Sequence, residues 1–100
     1  MSSKREFLIR RADGEWFEFP YDRYPEVLRP LTVPSQPVKG WGSHRIEVGG
    51  AEISFSEEDP GFQVVFETGT LDAKRARQIV DDICQNIETQ TGQKTRVVEL

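Results

Sequence analysis

The stretch His44-Arg45-Ile46-Glu47-Val48-Gly49-Gly50-Ala51-Glu52-Ile53-Ser54-Phe55-Ser56 decides the fold. Two alternating runs flank a two-residue glycine loop, which is the pattern of a tight β-hairpin. The loop sets the register. Val48 stands opposite Ala51, Ile46 opposite Ile53 and His44 opposite Phe55 on one face. Glu47 then faces Glu52, and Arg45 faces Ser54, on the other. Side chains along a strand alternate with period two, so the first face reads as core and the second as solvent.

Downstream, Glu57-Glu58-Asp59-Pro60-Gly61 reads as a turn. Phe62-Gln63-Val64-Val65-Phe66-Glu67 reads as a third strand with Phe62, Val64 and Phe66 inward. Pairing Phe55 with Phe62 keeps the three strands in phase. Residues 71–91 then change period: Leu71, Ala76, Ile79, Val80, Ile83 and Ile87 form one stripe of a helix. Cys84 lies beside that stripe, and Lys74, Arg75, Gln78, Asp81, Asp82 and Gln85 take the other side. Thr70 suits the N-cap, Asp72 the first turn and Gly92 the C-terminal stop. Residues 94–100 read as a last strand.

Upstream, residues 5–19 read as an N-terminal hairpin, with β-forming runs at 5–11 and 15–19 around Asp13-Gly14. Neither run alternates cleanly: Leu8 and Ile9 point to opposite faces, as do Trp16 and Phe17. Residues 20–42 are a Pro-rich connector holding Pro20, Pro25, Pro30, Pro34 and Pro37. Proline lacks an N–H and restrains its predecessor, which excludes a long helix or central strand here. One helical turn at residues 25–28 fits, with Pro25 at its first position. The rest is expected to run extended over the surface.

The whole, residues 1–100, reads as a single α+β domain. It is a two-layer sandwich: a mainly antiparallel sheet of five to six strands under one long C-terminal helix, in the order ββ–connector–βββ–α–β, with 43–100 as the βββαβ core. The β-β-β-α-β order of residues 43–100 resembles small immunity-type proteins that neutralise a bacterial toxin; the resemblance lies in the order of elements and implies a toxin-binding role.

Composition narrows the function classes. The chain of 100 residues has 13 Lys or Arg against 17 Asp or Glu, a net charge of −4. Residues 1–50 hold eight basic and seven acidic side chains; residues 51–100 hold five and ten. An acidic balance disfavours generic nucleic-acid binding, which shows a basic excess. The longest apolar runs, Phe7-Leu8-Ile9 and Val64-Val65-Phe66, are far short of the roughly 20 residues a spanning helix needs. No leader-like apolar stretch follows the basic start, and one Cys makes no internal disulfide, so a reducing, cytoplasmic setting is expected. One Cys and one His do not make a Cys/His zinc site, and no cofactor or metal is expected.

Individual candidates each have a plain reading beside a functional one. His44, in phase with Ile46 and Val48, reads as a sheet-end ring stacked on Phe55, since no base or nucleophile is paired with it. Cys84 reads as a buried structural thiol. Glu47 opposite Glu52 is a like-charge pair. Arg45 or a basic group such as Arg96 would offset it; otherwise it is an acidic patch for a basic partner. Glu57-Glu58-Asp59 lacks the alternate-acid spacing of a calcium loop and reads as a solvated turn. Pro34-Ser35-Gln36-Pro37 reads as a rigid spacer. Trp41, between Gly40 and Gly42, either plugs the core edge or recognises a partner, and Tyr21 and Tyr24 invite the same pair of readings. Lys4, Arg5, Arg10 and Arg11 with Phe7 and Trp16 would make a surface for single-stranded nucleic acid, but interleaved acids cancel most of its field. The cluster Lys74, Arg75 and Arg77 sits at the helix end where the macrodipole prefers acids.

Apolar groups outnumber what one helix face covers. Val65 points away from the Phe62/Val64/Phe66 side, and Val97 and Val98 take opposite faces. The second face is expected to be covered by the connector, by the N-terminal hairpin or by another chain. The function expected is a non-enzymatic protein–protein interaction module, or self-association. A small carboxylate-using enzyme, a weak single-stranded nucleic-acid binder and an immunity-type protein are the alternatives. Trp16, Tyr21, Tyr24, Trp41, Glu47, Glu52 and Val65 are the expected contact residues.

Overall fold

The computed structural model describes residues 5–58, 60–67 and 72–100. Among them, six strands form one sheet: β1 (Arg5–Arg11), β2 (Gln36–Pro37), β3 (His44–Val48), β4 (Ala51–Glu58), β5 (Gly61–Phe66) and β6 (Thr95–Glu99). The order across the sheet is β2-β3-β4-β5-β1-β6, and every neighbouring pair is antiparallel. A short helix α1 (Tyr24–Val27) follows a 3-10 turn at Tyr21–Arg23, and the long helix α2 (Ala73–Thr91) links β5 to β6. The fold is α+β, a sheet with one long helix near the C-terminus. The Cα radius of gyration is 12.3 Å, against roughly 13 Å for a folded chain of this length.

The β3–β4 hairpin pairs as its glycine loop requires: His44 opposite Phe55, Ile46 opposite Ile53, Val48 opposite Ala51. Gly49 and Gly50 have φ of 57° and 87°, a left-handed conformation that a side chain would oppose. The next pairing differs from expectation. Phe55 stands opposite Val64, and Phe62 opposite Glu57. The strands stay paired out to Glu58 and Gly61, so Glu57 and Glu58 belong to β4 rather than to a five-residue turn. A shift of two residues preserves the faces, because the side-chain period is two.

The N-terminal hairpin does not form. β1 instead inserts between β5 and β6, pairing Phe7 with Val64 on one side and with Glu99 on the other. With both edges of β1 taken, residues 15–19 have no ladder to join. The second strand of the first pair is β2 in the connector, where Gln36 and Pro37 pair with Glu47 and Ile46. The proline-flanked spacer is therefore a two-residue edge strand, short as edges that resist further pairing tend to be.

Helix α2 buries Ala76, Ile79, Val80, Ile83, Cys84, Asn86 and Ile87. Its N-cap is Asp72, whose carboxylate accepts from the Arg75 N–H at 2.7 Å. The expected cap Thr70 and the stripe residue Leu71 lie outside the described residues. Gly92 ends the helix in the left-handed conformation at φ 73°. α2 packs on β1 and β6 and against α1. Tyr24, Val27 and Leu28 of the connector join the same core cluster as Phe7, Ile9, Phe55, Val64 and the helix stripe. Asp82, on the far side of α2, ties the connector down by accepting from the N–H groups of Leu31 and Thr32 and from the Thr32 hydroxyl.

The connector thus covers the inner face beside the helix. The outer face presents Glu47, Glu52, Gln63, Arg10 and Arg96, with Leu8 and Val98 as a pair on β1 and β6.

Candidate binding site: an aromatic and acidic shelf

The connector and the segment before it are dense in rings and acids: Glu15-Trp16-Phe17-Glu18-Phe19-Pro20-Tyr21-Asp22-Arg23-Tyr24-Pro25-Glu26. Lacking a strand partner, this segment is held by its rings. Phe17 and Phe19 each stack on Phe62 with centroids 5.8 Å apart and planes within 30°. Tyr24 meets Phe62 edge-on at 5.4 Å and Phe19 edge-on at 5.6 Å. Tyr21 lies 4.7 Å from Tyr24. Offset-stacked and edge-to-face pairs of this kind each add roughly 0.5–1.5 kcal/mol beyond the area they bury. Gln93, just past α2, fixes the segment by donating to the Glu18 carbonyl and accepting from the Glu18 N–H.

The two-residue shift of β5 places a carboxylate among these rings. Glu57 stands opposite Phe62 on the inner face, beyond the end of the aliphatic core. Tyr24 Oη donates to Glu57 Oε2 at 2.8 Å. Burial, helped by that carboxylate, pushes the Tyr24 phenol above its ordinary pKa, so it stays a donor at neutral pH. Trp16, Phe17, Phe19, Tyr24, Phe62 and Glu57 enclose a hollow of about 130 Å³, with the Gly61 backbone at its edge.

Three rings nearby are turned outward. Trp16 is 51% exposed, Tyr21 65% and Trp41 53%. Tyr21 Oη donates to the Ser43 carbonyl at 3.0 Å, which anchors the Tyr21 ring to the loop that bears Trp41. Trp41 is therefore a surface ring, not a plug in the core edge. Of the expected contact residues, the fold brings Trp16, Tyr21 and Tyr24 together and ties Trp41 to them through its loop. Phe62 and Glu57 complete the group and escape a reading by motif, because only the β4–β5 register and the connector's path bring them there.

The remaining expected residues lie elsewhere. Glu47 and Glu52 are on the outer face, each with its own partner: the Gln36 amide donates to Glu47 at 3.0 Å, and Arg45 Nε to Glu52 at 2.9 Å. Arg45 is thus the group that offsets the like-charge pair, while Arg96 pairs with Arg10 at the other end of the sheet. Val65 is 4% exposed within the chain itself, between Ser54 and Glu6, and offers no surface to a partner. Ser54, beneath the same face, donates to Glu67 at 3.3 Å.

His44 and Cys84 are both set by their packing. The His44 ring lies 5.9 Å from that of Phe55 at 34°, and burial lowers its pKa from the usual 6.5. Burial pushes the Cys84 thiol up to about 12, far from the thiolate a nucleophile needs. Phe7 is fully buried in the core, so it forms no surface with Arg10 and Arg11. Arg11 is itself held by Asp13 and Glu18 and donates to the Trp16 carbonyl at 2.9 Å. Among the described residues no three His, Cys, Asp or Glu side chains gather as a metal site, and no helix is long and apolar enough to cross a membrane. No family model, curated protein or solved structure matches the chain.

Proposed function

We propose that this protein is a non-enzymatic protein–protein interaction module that binds a basic protein surface through the aromatic and acidic shelf of residues 15–26. The observation that carries this reading is the exposure of Trp16, Tyr21 and Trp41, large rings turned to solvent at one end of the sheet. Tryptophan and tyrosine are the residue types that most often dominate binding energy at interfaces. The charge of the partner follows from what stands between the rings. Glu15, Glu18, Asp22 and Glu26 accompany a single base, Arg23, in that segment, and Glu57 lies exposed beside the rings. Opposite fields across an interface steer encounter and select partners. A free, buried thiol on α2 suits a reducing, cytoplasmic setting.

The test compares two surfaces. Trp16→Ala/Tyr21→Ala/Trp41→Ala alters the shelf, and Leu8→Ser/Val98→Ser alters the outer sheet face. Quantitative capture from native lysate, read at low and high salt, is expected to lose a salt-sensitive partner with the first variant only. Loss with the second variant only, or capture of a second copy of the chain through it, contradicts the reading.

A further inference from the structure

We infer that the hollow beside Glu57 takes one arginine side chain of the basic partner, its guanidinium between the rings and on the carboxylate. This inference rests on the binding role proposed for the shelf and names the group that enters it. The hollow, about 130 Å³, is roughly ten times the 10–15 Å³ that one water needs on the same measure, so a guanidinium with its last methylene fits inside it. The walls are the rings of Trp16, Phe17, Phe19, Tyr24 and Phe62, and an aromatic ring attracts a cation placed over its face through its quadrupole.

The carboxylate decides between cations. Glu57 uses one oxygen to accept from Tyr24, lines the hollow and is exposed to solvent. A guanidinium is planar, weakly hydrated and rich in N–H donors, so it stacks on rings and bonds a carboxylate at once. A lysine ammonium is a compact, strongly hydrated charge and gains less from a flat aromatic slot. A quaternary ammonium has no N–H to give Glu57. The chain's own Arg11 is engaged by Asp13, Glu18 and the Trp16 carbonyl.

The experiment titrates the whole chain with Nα-acetyl-arginine amide, Nα-acetyl-citrulline amide and Nα-acetyl-lysine amide, following backbone amide and tryptophan indole resonances. Citrulline has the shape of arginine without its charge. The arginine compound is expected to shift the Trp16 indole and the amides of Glu57 and Phe62 saturably, with citrulline about tenfold weaker for want of the charge-assisted hydrogen bond, and lysine weaker because a hydrated ammonium does not stack on the rings. Glu57→Gln keeps an acceptor for Tyr24 and removes the charge, so it lowers the arginine affinity about tenfold. Trp16→Ala lowers it as well, and unchanged dispersion of the core resonances shows that both variants fold. Equal binding of arginine and citrulline, or shifts spread over the acidic surface and absent from the hollow, overturns the inference. Partner capture that depends on the shelf in a protein indifferent to arginine would retain the binding role and sink only the pocket. Arginine binding in the hollow with capture through the outer face would do the reverse.

Discussion

Asn86 is fully buried on α2, and its amide nitrogen donates to the carbonyls of Glu26 at 2.8 Å and Val27 at 3.1 Å. Those carbonyls close a four-residue helix, where the last C=O groups have no intrahelical donor. One side chain of the long helix therefore caps the short one, and fixes the connector on which the shelf is built. Asn86→Ala leaves the buried Val27 carbonyl and the partly buried Glu26 carbonyl without that donor and is expected to lower stability by about 1–3 kcal/mol. Urea denaturation checks this: the midpoint falls at unchanged slope, whereas a change under about 0.5 kcal/mol would mean that water replaces the amide at no cost. His44 makes a different prediction. Its neutral form is favoured in the fold, because burial depresses its pKa below 6.5. Its contribution is complete above pH 6.5, and stability declines as pH falls below that value through the folded pKa, where the unfolded chain binds more protons. His44→Phe is expected to flatten the Tm profile below pH 6.5, and an unaltered profile would place the titrating group elsewhere. Glu88, drawn below its ordinary 4.5 by the Thr95 N–H it accepts, loses its share only at lower pH.

At the scale of elements, the close approach of β1 to β5 sets the sheet order. A Cβ on Gly61 would land on the Ile9 carbonyl oxygen, so only glycine lets these strands pair at this end. Gly61→Ala must push β1 aside and strain its pairing with β6 as well. A loss of about 1–3 kcal/mol is expected, with faster amide hydrogen exchange in β1 and β6 than in β3. Equal protection in both would contradict a sheet whose order depends on that contact. The β3–β4 register and the helix with its Gly92 stop were legible from sequence because both are local: a glycine loop fixes the one, a 3.6 period the other. The place of β1 was not, since a strand's choice of neighbour is a long-range matter that alternation does not encode. Its mixed pattern, Phe7 and Ile9 against Leu8, told only of apolar side chains on both faces of the strand, with Leu8 on the second. The segment 15–19 looked like a strand for the same reason that it packs: Phe17 and Phe19 are β-formers, but Phe62 takes them by stacking rather than by a ladder. Of the candidate site, Trp16, Tyr21, Tyr24 and Trp41 stood out by residue type. Glu57 read as a solvated turn, because the pairing that turns it inward depends on how far β4 extends.

On the scale of the whole molecule, the two faces of the sheet do different work. The inner face carries α2, the connector and the rings, in one continuous core. The outer face is mostly polar side chains that pair with one another, Arg45 with Glu52 and Gln63 with Glu6 among them. The exposed rings and the acids between them meet at one end of this body. Photo-crosslinking in the native cells distinguishes this end from the sheet face as the surface that meets a partner. p-Benzoylphenylalanine would replace Trp16, Trp41 or Val98, one at a time. Adducts to a basic protein from positions 16 and 41, with none from 98, are expected. Adducts from position 98 alone, whether to another protein or to a second copy of this chain, would contradict this expectation.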